Sequence, residues 1–212
     1  MGGCVPVAIL LQLYFMYTKK GYNYLRLPAV EQYTSTRVFG EGTDVYGTED
    51  KKYDKDITYS ITLPALESYV PNFKLISMVK DYTDVKKRAD MTQEELEYAR
   101  LVRHIGQLLN ASYSPRATGA HMSDAITLFI NLGFTNVKSM AAKNNSKNFF
   151  STIRSQIKSG YPVIISGSKA SGGRHAFNLT GFKREYDAYQ KKNVNKYYVD
   201  LNYGPNQGNG WS

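Results

Sequence analysis

The only cysteine among the 212 residues is Cys4, so the sequence holds a single thiol that could act as a nucleophile. It follows Gly2 and Gly3 and directly precedes an apolar segment that predicts a helix over residues 5–17. The start of a helix carries about half a positive charge, which favours a thiolate, and its first amides are free to bind an oxyanion. A lone cysteine excludes an intrachain disulfide and a zinc site made of several thiolates. The alternative at this point is a small buried side chain without chemistry.

The sequence contains 3 histidines that could serve as a general base for this thiol. His104 is predicted in the middle of a helix, where a packing or surface role is favoured. His121 lies in a loop before another predicted helix and could line a groove or have no role in the chemistry. His175 opens an apolar, strand-like segment directly after residues 172–174, and a polar ring at that position is less easily explained by packing. Because a Cys–His pair needs only to meet in space, His175 is the predicted base for Cys4.

A third polar group should orient a catalytic imidazole through its other ring nitrogen. Asn202 follows the strand predicted over residues 196–201, which a hairpin loop over residues 183–195 returns beside the strand of His175. Asp200 lies two residues earlier on the same strand face and is the alternative orienting group.

The elements that would position these residues are predicted as helices first and strands afterwards, which indicates an α+β fold with an antiparallel sheet. The predicted helices cover residues 5–17, a stretch after the capping box of Thr92 and Glu95, a stretch from Ser123 or Asp124 to near Gly133, and residues 147–159. The predicted strands cover residues 57–61, 162–165, 175–182 and 196–201. Residues 22–90 otherwise predict long surface loops with a helical turn over 64–69, and residues 113–121 predict a loop.

The formal net charge of +9 predicts a basic surface, because the basic residues are scattered along the chain in short groups. The sequence has no long basic run and no RRM, KH or zinc-finger pattern, so we expect no nucleic-acid partner. The apolar segment 4–17 is too short to span a bilayer and has no basic residues before it, which argues against a membrane helix or a signal peptide. Pro6 stands where a myristoylation signal needs Ser or Thr. We therefore expect no membrane partner.

Three segments resemble, in their order and spacing, the conserved blocks of the streptopain-type cysteine peptidases. Gly3–Ile9 together with Gln12 is similar to the Gly-Cys-Val block and its helix. Gly173–Gly181 is similar to the Gly-His-Ala-Phe block of that family. Tyr198–Gly204 is similar to the Val-Asn-Trp-Gly block, with Tyr203 in the place of Trp. The resemblance is clear from about residue 95 onward and weaker over residues 22–90.

This resemblance implies a papain-like fold with two lobes. The nucleophile would lie on an N-terminal helix, and an antiparallel sheet would carry the His and the Asn. One domain over residues 1–212 is expected, with a helical lobe from about 1–20 and 92–160, loops over 22–90, and a sheet lobe from about 161–212. The implied activity is that of a cysteine endopeptidase, whose peptide or protein substrate lies in the cleft between the lobes and which needs no cofactor or metal.

Carried over by position, the resemblance assigns the nucleophile to Cys4, the base to His175 and the orienting group to Asn202. Tyr203 would shield the hydrogen bond between His175 and Asn202 from water. The expected substrate-binding residues belong to a small-residue loop and to the position before His175, where the family usually has Gly: Gly119, Ala120 and Arg174. A side chain at that last position could narrow the groove or pair with an acidic residue of the substrate.

The family also implies a secreted or cell-surface protein with an inhibitory propeptide and an oxyanion-binding side chain upstream of the nucleophile. Because the sequence starts shortly before Cys4 and ends at Ser212, we expect a member that is trimmed at both ends. Two other functions fit the same residues. One is an acyl transferase of the same fold that passes its acyl group to an amine, and the other is an inactive module that binds peptides in its groove.

Overall fold

The structure is a computed structural model, and it describes residues 3–42, 44–45, 48–76, 88–114, 118–141, 146–168, 174–187, 192–202 and 209–211. Within these ranges the chain folds as α+β, with a long N-terminal helix and antiparallel strands. This arrangement confirms the predicted fold class and is consistent with a papain-like fold. No helix in the described ranges is long and apolar enough to cross a membrane.

Helix α1, Cys4–Lys20, is apolar on all sides and lies at the centre of the core. Ile9, Leu10 and Leu13 are at most 1% exposed, which is why the helix needs no polar face. It ends at Gly21, whose left-handed backbone (φ 71°, ψ 24°) lets its N–H reach the carbonyl of Met16. The helix predicted over residues 5–17 is therefore confirmed and extends further at its C-terminal end.

The remaining helices are short or amphipathic, and all but the last contribute to the apolar cluster around α1. They are α2, Phe73–Ile76, α3, Gln93–Leu108, α4, Met122–Asn131, and α5, Ser146–Lys158, with a 3-10 turn at Arg88–Asp90. The predicted capping box starts α3, since Thr92 Oγ1 accepts from the Glu95 amide at 3.3 Å and Glu95 Oε2 accepts from the Thr92 amide at 2.8 Å. Leu101, Ile105 and Leu109 of this region pack on α1.

The strands form one larger antiparallel sheet and several ribbons of two strands among the described residues. The larger sheet has the order β10–β9–β8–β7, with β7 at Val163–Ser168, β8 at Arg174–Asp187, β9 at Lys192–Asn202 and β10 at Asn209–Trp211. The ribbons pair β1, Tyr33–Phe39, with β4, Ile57–Leu63; β2, Asp44–Val45, with β3, Thr48–Lys52; and β5, Ser112–Tyr113, with β6, Thr118–Gly119.

Helices cover both faces of the β7–β8 pair. On one face, Ala176 and Ile164 join the apolar cluster built around α1. On the other face, Leu179 and Phe177 pack against Ile153 of α5 in a second cluster. Alternation along β8 therefore divides its side chains between the two helices.

Residues 22–90 contain more regular structure than the long loops that the sequence predicted. The strand predicted over 57–61 is confirmed within β4, and its partner β1 was not predicted. The outward face of this ribbon carries hydroxyl side chains that pair across the strands, Thr34 with Thr62 at 2.9 Å and Thr36 with Ser60 at 3.3 Å. Threonine on a solvent face gives no apolar alternation, so the strand period of β1 was hidden in the sequence.

Two local predictions were wrong. The helical turn expected over residues 64–69 is absent, because Leu66 and Tyr69 instead form single antiparallel bridges with Val30 and Leu27. The hairpin loop expected over residues 183–195 is mostly strand, since β8 continues to Asp187 and β9 begins at Lys192. Polar composition suggested a loop there, but a paired ribbon satisfies its backbone hydrogen bonds without needing apolar side chains.

Buried polar side chains of α3 hold the segment before it in place. Glu97 accepts hydrogen bonds from the Tyr69 hydroxyl and from the Asn72 amide, the latter at 2.8 Å. The ring of His104 is 1% exposed, and its Nε2 lies 2.8 Å from the Pro28 carbonyl oxygen, to which it must donate. Burial lowers the pKa of His104, which fits a neutral ring with its proton on Nε2. His104 therefore has the packing role that the sequence favoured.

Candidate active site

Cys4 is the first residue of α1, and its partly buried side chain packs against the apolar cluster around that helix. The residue before it, Gly3, has no side chain to cap the helix, and the first turn contains no acidic residue. The positive end of the helix dipole is therefore not neutralised by a carboxylate of its own first turn. A thiolate and a developing oxyanion would both be stabilised at such a helix start.

A second element lies against Gly3, next to Cys4. The backbone of Gly3 has φ 70° and ψ 150°, and a Cβ atom there would lie 3.0 Å from Cβ, Cγ2 and the carbonyl oxygen of Thr118. The strand β6, which contains Thr118 and Gly119, therefore touches the start of α1. Ala120 packs on the same apolar cluster as Cys4. The structure thus brings the expected substrate-binding residues Gly119 and Ala120 close to the predicted nucleophile.

The strand that begins at Arg174 and includes His175 packs directly on α1, the helix that begins with Cys4. Ala176 is 4% exposed within the cluster that Cys4 borders, and Asn178 Nδ2 donates to the Ala8 carbonyl oxygen at 2.9 Å. His175 is partly buried, with its ring centroid 6.1 Å from that of Phe177. The structure therefore brings together the elements that carry Cys4 and His175. Along β8 the side chain of His175 alternates with that of Ala176 and shares the face of Phe177, so a reaction between Cys4 and His175 stays a prediction.

The two candidate orienting residues pair with different positions along β8. Asn202, the last residue of β9, pairs with Asn178, and Asp200 pairs with Gly181. Asn202 is therefore opposite a position three residues along β8 from His175, whereas Asp200 is opposite a position six residues away. Measured along β8, Asn202 is therefore the nearer of the two candidates to His175. Tyr203 lies outside the described residues.

The other histidines differ in how they could take part in chemistry. His104 is buried on α3 and bound to a backbone carbonyl, so its ring is committed to packing. His121 is exposed at the N-cap of α4, with no side-chain cap hydrogen bond, and follows Ala120 directly. It follows the predicted substrate loop in the chain, and a role in lining a groove stays a prediction.

Sequence reasoning missed Arg37 as a neighbour of this site. Its Nη1 lies 3.9 Å from the place where a Cβ of Gly119 would be, and its guanidinium lies over the ring of Phe39 at 5.0 Å. Arg37 belongs to β1, in the segment that predicted loops, so no sequence signal connected it with Gly119. A cation at this edge would favour an acidic residue of a bound peptide.

No group of three or more His, Cys, Asp or Glu side chains that could hold a metal ion occurs in the part of the chain that the structure describes. The model of the peptidase C10 family matches residues 2–211 of the sequence. No curated protein matches the sequence. The match covers the segments of Cys4, His175 and Asn202, which lie on the helix, strand and strand end just described. The chain therefore belongs to the peptidase C10 family, the streptopain family of cysteine peptidases.

Proposed function

We propose that this protein is a cysteine endopeptidase that hydrolyses peptide bonds through a thioester, with Cys4 as nucleophile and His175 as general base. The observation that carries the proposal is the packing of α1 on β8, because one element begins with the only cysteine and the other has His175 as its second residue. Asn202, at the end of the neighbouring strand, is the proposed orienting group. The family match supports the reaction class.

In the first half of the reaction, His175 takes the proton from Cys4 Sγ, and the thiolate attacks the carbonyl carbon of the scissile bond. The carbonyl oxygen becomes an oxyanion, which amide N–H groups at the start of α1 stabilise. The C–N bond then breaks, and the departing amine takes the proton from the imidazolium of His175. The products of this half are the free amine and an acyl thioester on Cys4.

In the second half, water replaces the amine. His175 removes a proton from the water as it attacks the thioester carbonyl, and the C–S bond breaks as the thiolate departs. The thiolate regains its proton from the imidazolium, which releases the carboxylic acid and restores the enzyme. The imidazole must keep one orientation through both halves, which is the role proposed for Asn202.

The substrate peptide is proposed to lie along β6, because an extended chain can pair with exposed strand backbone. Gly119 is exposed and Ala120 is partly buried, so both leave room for a peptide beside Cys4. Arg174, beside His175 in sequence, is proposed to pair with an acidic residue of the substrate, and Tyr203 to shield the His175–Asn202 hydrogen bond. A secreted location and control by a propeptide or inhibitor protein are further proposals from the family.

Labelling with an iodoacetamide probe tests the activated thiol, since one cysteine gives at most one label per chain. We expect rapid labelling that Cys4→Ala abolishes and His175→Ala reduces to the rate of an ordinary thiol. His121→Ala is the matched control, because that histidine is exposed beside the substrate loop and should leave labelling unchanged. Equal labelling rates for the His175→Ala variant and the unmodified protein would refute the assignment of the base.

Cleavage of fluorescein-labelled casein tests the reaction itself. We expect peptide fragments without incorporation of an added amine, whereas amine incorporation would select acyl transfer instead. Peptide binding without labelling or cleavage would select an inactive binding module. Asn202→Ala should lower the rate but leave some activity, because orienting groups are usually less essential than the nucleophile and base. A larger loss for Asp200→Ala than for Asn202→Ala would assign the orienting role to Asp200.

A further inference from the structure

A buried amide connects the helix of Cys4 to the strand of His175. The side chain of Asn178 is 2% exposed, and its Nδ2 donates to the carbonyl oxygen of Ala8 at 2.9 Å. One helical turn after Ala8, the Nε2 of Gln12 donates to the carbonyl oxygen of Pro162 at 3.2 Å. These two side-chain amides are polar, directional contacts in an otherwise apolar interface between α1 and the sheet.

Stability does not account for the amide at position 178. The carbonyl of Ala8 lies inside α1, where it accepts the helical hydrogen bond from the backbone N–H of the residue four positions later. It therefore needs no second donor. The hydrogen bond from Asn178 is worth about 0.5–1.5 kcal/mol net. Its Oδ1 is buried, and no described residue donates to it, which costs about 1–3 kcal/mol. An apolar side chain of similar volume would give the fold as much stability or more.

The amide instead fixes where the helix sits along the strand. Apolar packing is non-directional and tolerates small shifts of α1. A hydrogen bond to one carbonyl instead defines both the position of the helix along its axis and its rotation about that axis. Cys4 lies one helical turn from Ala8, about 6 Å along the axis. His175 lies three residues from Asn178, about 10 Å along the strand. The amide therefore stands close to the predicted reacting groups on both elements.

We propose that Asn178 is a positioning residue of the peptidase, which holds α1 in register with β8 so that Cys4 and His175 meet at reactive distance. This inference rests on the proposed function. Asn178 does not touch the substrate in this role and acts only through the two elements that it joins. Because a misplacement of about 1 Å at a reacting group can cost about a hundredfold in rate, loss of the register should lower kcat more than it changes KM.

The test is Asn178→Leu, which removes both the hydrogen bond and the unpaired oxygen while it keeps the volume. We expect an unchanged or higher melting temperature, a kcat on casein at least about tenfold lower, a KM within about twofold, and a displaced pH profile of kcat. Gln107→Leu is the matched control, because Gln107 is 1% exposed and its amide also donates to a backbone carbonyl, that of Pro64 at 3.0 Å, away from the site. The control should lower the melting temperature and leave kcat unchanged.

A second variant covers the case in which Asn178→Leu does not fold. Asn178→Gln keeps an N–H donor but is longer by one methylene, so it should fold with α1 displaced and should also lower kcat. An unchanged kcat and pH profile in either folded variant overturns the positioning role while the proposed function stands. A wild-type protein whose labelling does not depend on His175 overturns the proposed function itself, and this inference with it.

Discussion

Replacing Gly3 by alanine should separate the geometry of the site from the stability of its helix, because the same helix has a matched glycine at its other end. Gly3 (φ 70°) precedes α1 and Gly21 (φ 71°) follows it, so both positions disfavour an L side chain. A Cβ at Gly3 would meet three atoms of Thr118 at 3.0 Å, one of them the backbone carbonyl oxygen. A Cβ at Gly21 would meet nothing within 4 Å.

Both substitutions therefore strain a backbone with positive φ, but only the Cβ at position 3 would also contact Thr118. Gly21→Ala should lower the free energy of unfolding by about 1–2 kcal/mol, the cost of a left-handed residue. Gly3→Ala should cost about 1–3 kcal/mol, because its φ and ψ lie in a region that is essentially open to glycine alone. It must in addition move Thr118 or the start of α1 by a few tenths of an ångström. We expect that shift to lower kcat/KM about 10- to 100-fold, which corresponds to about 1.4–2.7 kcal/mol.

Urea melts would measure the stability of both variants, and casein cleavage and Cys4 labelling would measure the site. The expected result is a similar loss of stability in both variants and a loss of kcat/KM in Gly3→Ala alone. An equal loss of kcat/KM in Gly3→Ala and Gly21→Ala would show that stability, and not the approach of Thr118, controls the rate. Full activity of Gly3→Ala would show that β6 is not coupled to the nucleophile.

Four further substitutions test the structure by urea or thermal melts. Ile9→Ala should cost about 2–5 kcal/mol, because Ile9 is 0% exposed, whereas Val38→Ala, at a position that is 61% exposed, should change stability by less than about 0.5 kcal/mol. Thr92→Ala should cost about 1 kcal/mol, because it breaks the capping box with Glu95, and no loss would contradict that geometry. Burial lowers the pKa of His104 in the folded protein, so below about pH 6.5 the unfolded state binds more protons than the folded state. The contribution of His104 to the free energy of unfolding should therefore be complete above about pH 6.5 and decrease below it, by at most about 1.4 kcal/mol per pH unit. His104→Gln should flatten this pH dependence, and an equal slope in both proteins would contradict it.

The sequence predicted the elements whose signals are local. The apolar run after Cys4, the Gly21 that ends it and the Thr92–Glu95 capping box each act within one or two helical turns, and α1 and α3 are confirmed. Helix α5 likewise begins at Ser146 and ends at Lys158, within one residue of its predicted bounds of 147–159.

Features that depend on partners distant in sequence were not predictable in this way. The bridges of Leu27 with Tyr69 and of Val30 with Leu66 join segments far apart in the chain, and Glu97 of α3 binds the same region through Tyr69 and Asn72. The start of α4 lies at Met122, with His121 as N-cap, and not at the polar residues that follow. Tertiary contacts decided these positions over local propensity.

For the site, motif spacing identified segments but not the contacts between them. Residue types around Cys4 and His175 predicted chemistry, and the helix and strand that carry them do pack together. Three contacts join segments far apart in the chain, so no local pattern predicted them: Thr118 against Gly3, Arg37 near Gly119, and the amide of Asn178 on Ala8.

The hydroxyl-bearing outer face of the β1–β4 ribbon has a consequence for surface behaviour. Thr34, Thr36, Thr58 and Thr62 keep the branched Cβ that favours extended backbone, yet they present oxygen to water where valine would present a methyl group. Such a ribbon can lie at the protein surface without forming an apolar patch that binds other chains. Replacement of its threonines by isosteric valines would keep the strands and create a surface prone to self-association.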